Sequence, residues 1–442
     1  MQKKFHLAQY TMMPVTHHSM ATWKHPRNLK GGWRFDRPEV WQHLAQTCER
    51  GKFDFFFSAD TEGIYSEYQQ SYEPAVRYAA QVPCYDVSTM MAWQAAVTNK
   101  IGFVFTLSVA GLPPYLLARK LATWDHMSNG RAGVNIVTAF HLNAARNLGI
   151  DAAEYGSSHD SRYDRADEYM EVCYRLWDSW EEGAIVMDIE RDMFADPAKV
   201  HPINFAGKWF KVAGPLNVDR SPQGKPLIVQ AGQSDRGQEF AARHAEAVFS
   251  IQWEVPGMKR YYDSLKSKMV KYGRNPDSLK VFFGFQPIVG ETEQIAQAKA
   301  ALHNGMLNVE AGLTILSGHL GYDLSVEDME ATVEGIKVPG IQGLIDMYSH
   351  SVSGPLKTLK DIAKAHAQGV SVPQIVGTGE QIAEWMAATM QAVGGDGFLL
   401  SPVYLPGSID EFVELVVPEL QRRGLMREEY IDGTLRDNLL AF

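Results

Sequence analysis

Short apolar runs recur along the whole chain, and most are followed by a longer segment with helical periodicity. The runs are rich in Phe, Val, Ile and Leu and are bounded by Gly, Pro or polar residues. Because they alternate with helical segments, these runs indicate buried parallel strands rather than helices. The predicted strands are 5–10, 53–59, 101–107, 132–137, 226–231, 247–251, 281–289 and 396–401.

The segments between the runs show apolar residues at a spacing of three and four. In 161–178, for example, Ala166, Met170 and Cys173 fall on one face. Such a stripe predicts an amphipathic helix that packs on a sheet. Pro418 should kink the last helix because proline lacks the backbone donor. The predicted helices are 38–50, 86–97, 114–128, 161–178, 235–245, 256–272, 379–392 and 409–423.

The order of these elements predicts an α/β fold. Eight strands that alternate with helices form a parallel sheet, and right-handed crossovers favour its closure into a (β/α)₈ TIM barrel. We expect one domain over residues 1–442, with insertion segments at about 178–225 after strand four and 300–376 after strand seven. Ligands of such barrels bind at the carboxyl ends of the strands.

Strand four carries a polar residue in an apolar setting. The preceding helix ends at Asn129-Gly130, a turn that glycine permits. Asn135 then lies within Ala132–Val137. A buried amide needs hydrogen-bond partners, which neighbouring backbone or a heteroaromatic ligand in a cleft could supply.

Polar residues follow several of the other predicted strands. Asp60 follows strand two, Thr106 lies near the end of strand three, and Thr138 follows strand four. Since the strands end at one edge of the barrel, we expect these groups to converge at its mouth. Asp60 could instead cap a helix and Thr106 could be a simple strand former. Their joint placement favours a site with apolar walls and a few polar groups, which suits a flavin.

The end of strand five indicates a phosphate site. Gly232, Gln233 and Ser234 lead from this strand directly into a helix. Free backbone N–H groups and the helix dipole would therefore face the mouth of the barrel. Ser234 could serve as the N-cap of the helix as well. His159 and Tyr163 stand four residues apart at the start of another helix, so both could reach one ligand group.

Composition narrows the range of partners. The chain has 442 residues and a net charge of −10 that is spread evenly, so neither nucleic acid nor membrane is expected as a partner. Cys48, Cys84 and Cys173 are far apart and are interpreted as reduced core thiols. The N-terminus lacks a signal-peptide pattern, which favours a cytoplasmic location.

Other catalytic motifs are absent from the sequence. The 14 histidines include no HExxH or HxH spacing, so no metal site is expected. The adjacent His17 and His18 cannot easily share one ion, and a role facing substrate or flavin is favoured for one of them. There is no GxSxG element, and no glycine pattern matches the GxGxxG turn of a nicotinamide site.

Several long motifs carry a specific resemblance. They are TWKHP at 22–26, ERGKFDFFFSAD at 49–60, SNGRAGVNIVTA at 128–139, NAARNLG at 143–149, HDSRYDRADEYMEVCYRLWDSW at 159–180, INFAGKWFKVAGPLN at 203–217, VQAGQSDRGQEFAARHAEAVF at 229–249 and FVELVVPELQRRGL at 412–425. With these motifs the chain resembles the bacterial-luciferase-like flavin-dependent monooxygenases, in the branch of nitrilotriacetate monooxygenase component A, dibenzothiophene-sulfone monooxygenase and long-chain alkane monooxygenase.

The resemblance implies a function and a cofactor site. It implies a monooxygenase that uses reduced FMN and O₂ to oxidise a small organic substrate. A separate NAD(P)H:flavin reductase would supply the reduced FMN, and the monooxygenase would form a homodimer or homotetramer. The matching positions for FMN contacts are Asp60, Thr106, His159, Tyr163 and Ser234, to which we add Asn135, Gly232 and Gln233. The alternatives are an oxidoreductase of the same barrel class with a flavin or deazaflavin, or a non-catalytic flavin-binding protein.

The substrate side is less well defined by the resemblance. His17 matches an N-terminal His of the alkane-oxidising relative and is the candidate catalytic residue. Tyr65, Gln81, Phe140 and His141 are the expected substrate pocket. The chain departs from the pattern at Phe140, where the alkane enzyme has His, and the pocket should therefore differ.

Overall fold

A closed barrel of parallel strands forms the centre of the molecule. The computed structural model describes residues 3–14, 16–30, 35–138, 142–150, 159–349 and 357–442. Each barrel strand pairs with the next in chain order, and the last pairs with the first, so the sheet closes. The barrel strands are β1 His6–Thr11, β2 Phe55–Ser58, β3 Gly102–Ser108, β4 Ala132–Val137, β5 Leu227–Gln230, β6 Ala247–Ser250, β7 Lys280–Val289 and β8 Gly397–Leu400.

Helices surround the barrel on its outer face. They are α1 Pro26–Lys30, α2 Pro38–Arg50, α3 Glu73–Arg77, α4 Met90–Ala95, α5 Pro114–Met127, α6 Leu142–Asn147, α7 His159–Trp177, α8 Asp235–His244, α9 Val255–Lys271, α10 Glu293–Asn304, α11 Val309–Leu320, α12 Gln342–Ser349, α13 Leu359–Gly369, α14 Gly379–Val393, α15 Gly407–Leu415, α16 Val417–Arg422 and α17 Leu435–Leu439. Short 3₁₀ turns occur at Thr22–Lys24, Tyr68–Gln70, Val87–Thr89, Pro197–Lys199, Pro276–Ser278 and Leu324–Val326. Within the described residues, no helix is both long and apolar enough to cross a membrane.

The predicted barrel is confirmed. All eight expected strands are present, and β4 has the predicted bounds Ala132–Val137. The turn before it is also present, with Asn129 and Gly130 at positive φ. Aromatic and aliphatic side chains from alternate strand positions fill the barrel interior, including Phe55, Val104 and Phe282. A parallel strand buried on both faces explains why the sequence shows continuous apolar runs rather than alternation.

Two predicted helices are wrong in extent. In place of 86–97 the chain forms the turn Val87–Thr89 and the six-residue helix α4. In place of 409–423 it forms α15 and α16, which are separated at Val416. Pro418 stands in the first turn of α16, where its missing N–H costs nothing. The predicted kink is therefore a break between two helices.

The long segment after β7 forms a helical layer over one side of the barrel mouth. Helix α11 packs on α13, where a Cβ on Gly312 would lie 2.0 Å from the carbonyl oxygen of Ala363. The layer has its own apolar core, which includes Leu316, Leu344 and Ile362. An unpredicted strand, Gln374–Gly377, pairs with the second half of β7. After α7, the short strand pairs Ile185–Asp188/Met193–Ala195 and Phe205–Ala206/Lys211–Val212 form two antiparallel ribbons.

Candidate active site at the mouth of the barrel

A cavity of about 330 Å³ opens at the carboxyl ends of the strands. Its wall includes residues at or just after the ends of β1 to β6, the start of α7, and part of the helical layer after β7. The candidate site residues on this wall are Asp60, Tyr65, Gln81, Thr106, Asn135, Tyr163, Gly232, Gln233 and Ser234. The structure therefore brings together polar groups that are far apart in sequence.

Asn135 and Thr106 form one polar pair in this wall. They lie opposite each other in the β3–β4 register, and the Asn135 Nδ2 donates to Thr106 Oγ1 at 3.0 Å. Asn135 is only 3% exposed, and its Oδ1 has no hydrogen-bond partner among the described residues. An unsatisfied buried acceptor is costly. The amide is thus positioned to accept a hydrogen bond from a ligand in the cavity.

The exit of β5 and the start of α8 form a small bay at Gly232, Ser234 and Gly237. Ser234 is the N-cap of α8, and its Oγ accepts from the N–H of Gly237 at 3.1 Å. A Cβ on Gly232 would lie 2.8 Å from the Cα of Gly237, and a Cβ on Gly237 would lie 2.9 Å from the Tyr163 hydroxyl oxygen. The two hydroxyl groups and the helix N-terminus therefore face one small space, which is the geometry of an anion site.

Cationic side chains lie beside this bay. Arg162 lines the cavity next to Tyr163. Arg236, on α8, is held by Asp164 at 2.9 Å and Asp167 at 2.6 Å on α7, and lies over the Tyr163 ring at 5.5 Å. These ion pairs fix the starts of the two helices relative to each other. No pattern in the sequence identifies either arginine as a site residue, although Arg162 directly precedes Tyr163.

Asp60 provides a carboxyl group at the exit of β2. It accepts from the N–H of Thr61 at 2.8 Å, and the thiol of Cys84 lies 3.6 Å from its Oδ1. Burial raises the pKa of Asp60 to about 7, to which the nearby Glu62 and Asp86 add, while the Thr61 N–H lowers it. A proton can therefore be held or released at this carboxyl near neutral pH. Cys84 is half-buried, whereas Cys48 and Cys173 are fully buried as predicted.

Tyr65 and Gln81 line the cavity on the side of the helical layer. The Tyr65 hydroxyl donates to Gln81 Oε1 at 2.9 Å. The Tyr65 ring packs so closely on α11 that a Cβ on Gly318 would lie 2.0 Å from its Cδ1. It also meets the His319 ring edge to face at 5.7 Å. Helix α11 thus sets the position of this tyrosine.

The two adjacent histidines after β1 occupy different places. His17 is fully buried and lies off the cavity wall, and burial lowers its pKa to about 3. His18 lines the cavity and stacks on Tyr10 with ring centroids 3.9 Å apart. Burial, with repulsion from His319 and His17, holds the pKa of His18 well below its usual value. The structure thus places His18, and not the candidate catalytic His17, on the wall.

Residues 338–344 of the helical layer also line the cavity and were not expected there. This segment is held by backbone hydrogen bonds, from Ile341 N to His319 O at 2.8 Å and from Gly340 N to Leu320 O at 2.8 Å. A Cβ on Gly343 would lie 2.8 Å from the Gln233 Cβ. A Pro-Gly pair and a second glycine in this segment were the only sequence indications of such a close approach.

Three candidate side chains lie outside the described part of the structure. Phe140 and His141 lie outside the described residues. The backbone of His159 begins α7, but its side chain is also outside them. Among the described residues, no group of three or more His, Cys, Asp or Glu side chains could hold a metal ion.

Comparisons with known proteins agree with this geometry. The family model described as luciferase-like monooxygenase matches residues 16–397. The chain is 40% identical to the long-chain alkane monooxygenase of Geobacillus thermodenitrificans (strain NG80-2), covering 100% of this chain and 95% of that protein. It is 38% identical to nitrilotriacetate monooxygenase component A of Aminobacter aminovorans, over 92% of this chain and 93% of the relative. A crystal structure of riboflavin lyase with modified FMN and riboflavin superposes with a TM-score of 0.91 at 32% identity, over 100% of this chain and 96% of the other.

Proposed function

The chain belongs to the luciferase-like family of flavin-dependent monooxygenases, and we propose that it oxidises a small organic substrate with reduced FMN and O₂. We further propose that a separate NAD(P)H:flavin reductase supplies the reduced FMN. One relative is named as component A of its monooxygenase, which supports a second protein component. The absence of a GxGxxG turn from the sequence supports the same arrangement.

The observation that carries this proposal is the fit between the cavity wall and FMN. The bay between Ser234 and Tyr163 offers hydroxyl groups and the N-terminus of a helix, and Gly232 and Gly237 allow these groups to come close together, which suits a phosphate. On β4, the open acceptor of Asn135 is suited to an N–H of the flavin pyrimidine ring. Aromatic side chains between them, such as Phe57 and Phe249, provide the apolar walls that a ring system requires.

Each end of the site would then have a distinct task. Ser234, Tyr163 and the N-terminus of α8 would hold the phosphate, and Arg162 would add a positive charge beside it. Thr106 orients the Asn135 amide, so that its acceptor stays directed to the cavity. When bound, reduced FMN supplies the electrons with which one atom of O₂ enters the substrate and the other leaves as water.

The remaining wall residues would exclude water and manage protons. Tyr10, His18 and the segment 338–344 cover the mouth with few charged groups, which lowers the local dielectric. Asp60, with a pKa of about 7, can hold a proton at its carboxyl oxygen or release it at neutral pH. His17, buried behind the wall, remains a candidate for positioning His18, to which it is directly joined in the chain.

Oxygen labelling tests the proposed reaction. The purified protein, chemically reduced FMN and ¹⁸O₂ are mixed with candidate organic substrates, and the product is analysed by mass spectrometry. We expect one ¹⁸O atom in the product. An oxidised product that lacks the label, or that forms without O₂, would contradict monooxygenation and favour the oxidoreductase alternative.

A further inference from the structure

One end of the cavity has a cationic side chain, and among the described residues the other end has none. Arg162, beside the phosphate bay, is the only Lys or Arg among the described residues that line the cavity. The bay lies at the exit of β5, and in a closed eight-stranded barrel β1 lies across from β5. The space beyond the flavin ring therefore lies near the exits of β1 and β2, under the helical layer.

Apolar side chains dominate this second end. They include Met12 after β1, Ile341, whose N–H donates to the His319 carbonyl oxygen, and Val370 after α13. The polar Tyr65 and Gln81 already bond to each other at 2.9 Å. A substrate here would bury itself mainly against hydrocarbon, with few unsatisfied polar partners to meet.

Two histidines near this end, His18 and His366, provide no positive charge at neutral pH. Burial, followed by repulsion from His319 and His17, keeps the pKa of His18 well below its usual value. His319 Nδ1 and His366 Nε2 are 3.0 Å apart, so a single hydrogen occupies the space between them. His366 is itself fully buried, and burial and the neighbouring His319 and His18 hold its pKa well below its usual value. His18 and His366 therefore cannot neutralise an anion at neutral pH.

Among the described lining residues, the one acidic side chain at this end has the wrong sign for an anionic substrate. Asp60 is a carboxyl group, which would repel a second carboxylate. Burying an unpaired carboxylate is strongly unfavourable because the charge loses its hydration. A substrate with several carboxylates would thus meet a large penalty.

We propose that the substrate is a neutral, largely apolar organic molecule and not a polycarboxylate. This inference rests on the proposed function, and it sets the chain apart from the relative named for nitrilotriacetate. For a neutral thioether the reaction balances as follows. One atom of O₂ forms a bond to sulfur through the sulfur lone pair, and the other leaves as water with two protons and two electrons from reduced FMN.

A matched pair of thioethers tests the substrate class. Thiodiacetate carries two carboxylates, and its dimethyl ester has the same sulfur atom without charge. Each is supplied with chemically reduced FMN and O₂, and sulfoxide is measured. We expect kcat/KM to be at least roughly 100-fold higher for the ester, because the dianion would have to bury unpaired charge. Binding is measured separately, from the change that each compound causes in the absorbance of bound oxidised FMN.

A variant with an added positive charge makes the test specific to this end of the cavity. Ile341→Arg places a cation on the cavity wall at the residue whose N–H donates to the His319 carbonyl oxygen, and Ile341→Gln is the neutral control. FMN affinity is measured for both variants. We expect the arginine variant to shift the ester-to-dianion ratio at least about tenfold toward the dianion, and the glutamine variant to leave it near that of the parent.

The outcomes separate the two proposals. If FMN binds and the parent binds or oxidises the dianion as well as the ester, the substrate class is wrong while the proposed function stands. If neither thioether is oxidised, the absorbance titration decides, and preferential binding of the ester supports the inference. If FMN itself does not bind, both proposals are overturned.

Discussion

Two hydroxyl groups, those of Ser234 and Tyr163, define the candidate phosphate bay. We predict that Ser234→Ala and Tyr163→Phe each weaken FMN binding, because a hydrogen bond to a charged group contributes about 1.5 to 3 kcal/mol. The dissociation constants of FMN and of riboflavin are measured by fluorescence quenching. Riboflavin lacks the phosphate, so its affinity should change little.

The riboflavin comparison also controls for the helix cap. Loss of the Ser234 cap costs about 1 kcal/mol of helix stability and could disturb the bay as a whole. A general disturbance would weaken both ligands equally. If FMN affinity is the same in both variants and the parent, the phosphate assignment is wrong.

The raised pKa of Asp60 predicts that the stability of the protein depends on pH. Its folded pKa of about 7 is raised above the ordinary value of 3.8, mainly by burial. The contribution of this group to stability is therefore complete below the ordinary pKa and is lost as the pH rises through about 7. Asp60→Asn removes this titration. The difference in free energy of unfolding between parent and variant, from urea denaturation, should thus change steadily between about pH 4 and pH 7.

If the difference in free energy of unfolding between parent and Asp60→Asn were constant from about pH 4 to pH 7, the pKa of Asp60 would not be raised in the folded protein. Glu62→Gln is the comparison variant, since that carboxylate is a neighbour of Asp60 and lies off the cavity wall. Burial raises the pKa of Glu62 as well, so the pH dependence that this variant removes is measured separately from that of Asp60→Asn. Glu62→Gln should reduce the raised pKa of Asp60 only slightly, because burial is the larger cause.

At the scale of single residues, the sequence predicted the groups that follow regular strands. Asp60, Asn135 and Ser234 lie on the cavity wall because the ends of parallel strands share one edge of the barrel. Side chains on irregular loops could not be assigned in this way. The choice between His17 and His18 depends on the loop path after β1, which has no periodicity to indicate it.

At the scale of elements, helix α11 positions Tyr65 through Gly318. We predict that Gly318→Ala displaces the Tyr65 ring and changes the KM for substrate, while FMN affinity is retained. Overpacking of this kind also lowers stability by about 1 to 3 kcal/mol. Steady-state kinetics and urea denaturation measure the two effects.

Gly312 is the matched control, since it is on the same helix but contacts α13. Gly312→Ala should destabilise the protein in a similar way without a specific change in KM. Equal effects of the two variants on KM would show that α11 acts on the cavity only through general stability.

The elements also show which parts of the fold the sequence pattern does not predict. The barrel strands and their helices follow a repeat, so their order was predicted correctly. The helical layer after β7 has no such repeat, and the position of segment 338–344 over β5 depends on tertiary contacts such as that of Gly343 with Gln233. The strand Gln374–Gly377 forms only because β7 extends beyond the barrel and offers a free edge.

At the scale of the whole molecule, a buried ionic cluster joins both ends of the chain at the floor of the barrel. Asp54 accepts hydrogen bonds from Arg427, from His6 at 2.8 Å and from Leu7 N at 3.1 Å. Although burial alone would raise the pKa of Asp54, Arg427 and His6 lower it. The stabilisation is therefore present above the ordinary carboxyl pKa and is lost as the pH falls through the lowered folded value.

We predict that Asp54→Asn lowers the free energy of unfolding by about 3 to 5 kcal/mol at pH 7, because Arg427 would be left buried without its carboxylate. The loss should shrink below about pH 4. FMN affinity of the folded variant should be unchanged, since the cluster is at the opposite end of the barrel from the cavity. Urea denaturation at several pH values tests this, and an unchanged midpoint would refute the stabilising role.

The proposed function requires that this chain uses reduced flavin made by another protein. The decisive measurement is product formation in a mixture of the purified protein, FMN, O₂, NADH and a neutral thioether. We predict no product until a flavin reductase or chemically reduced FMN is added, and product in proportion to the reduced FMN supplied. Sustained turnover with NADH alone, in preparations free of contaminating reductase, would contradict the two-component account.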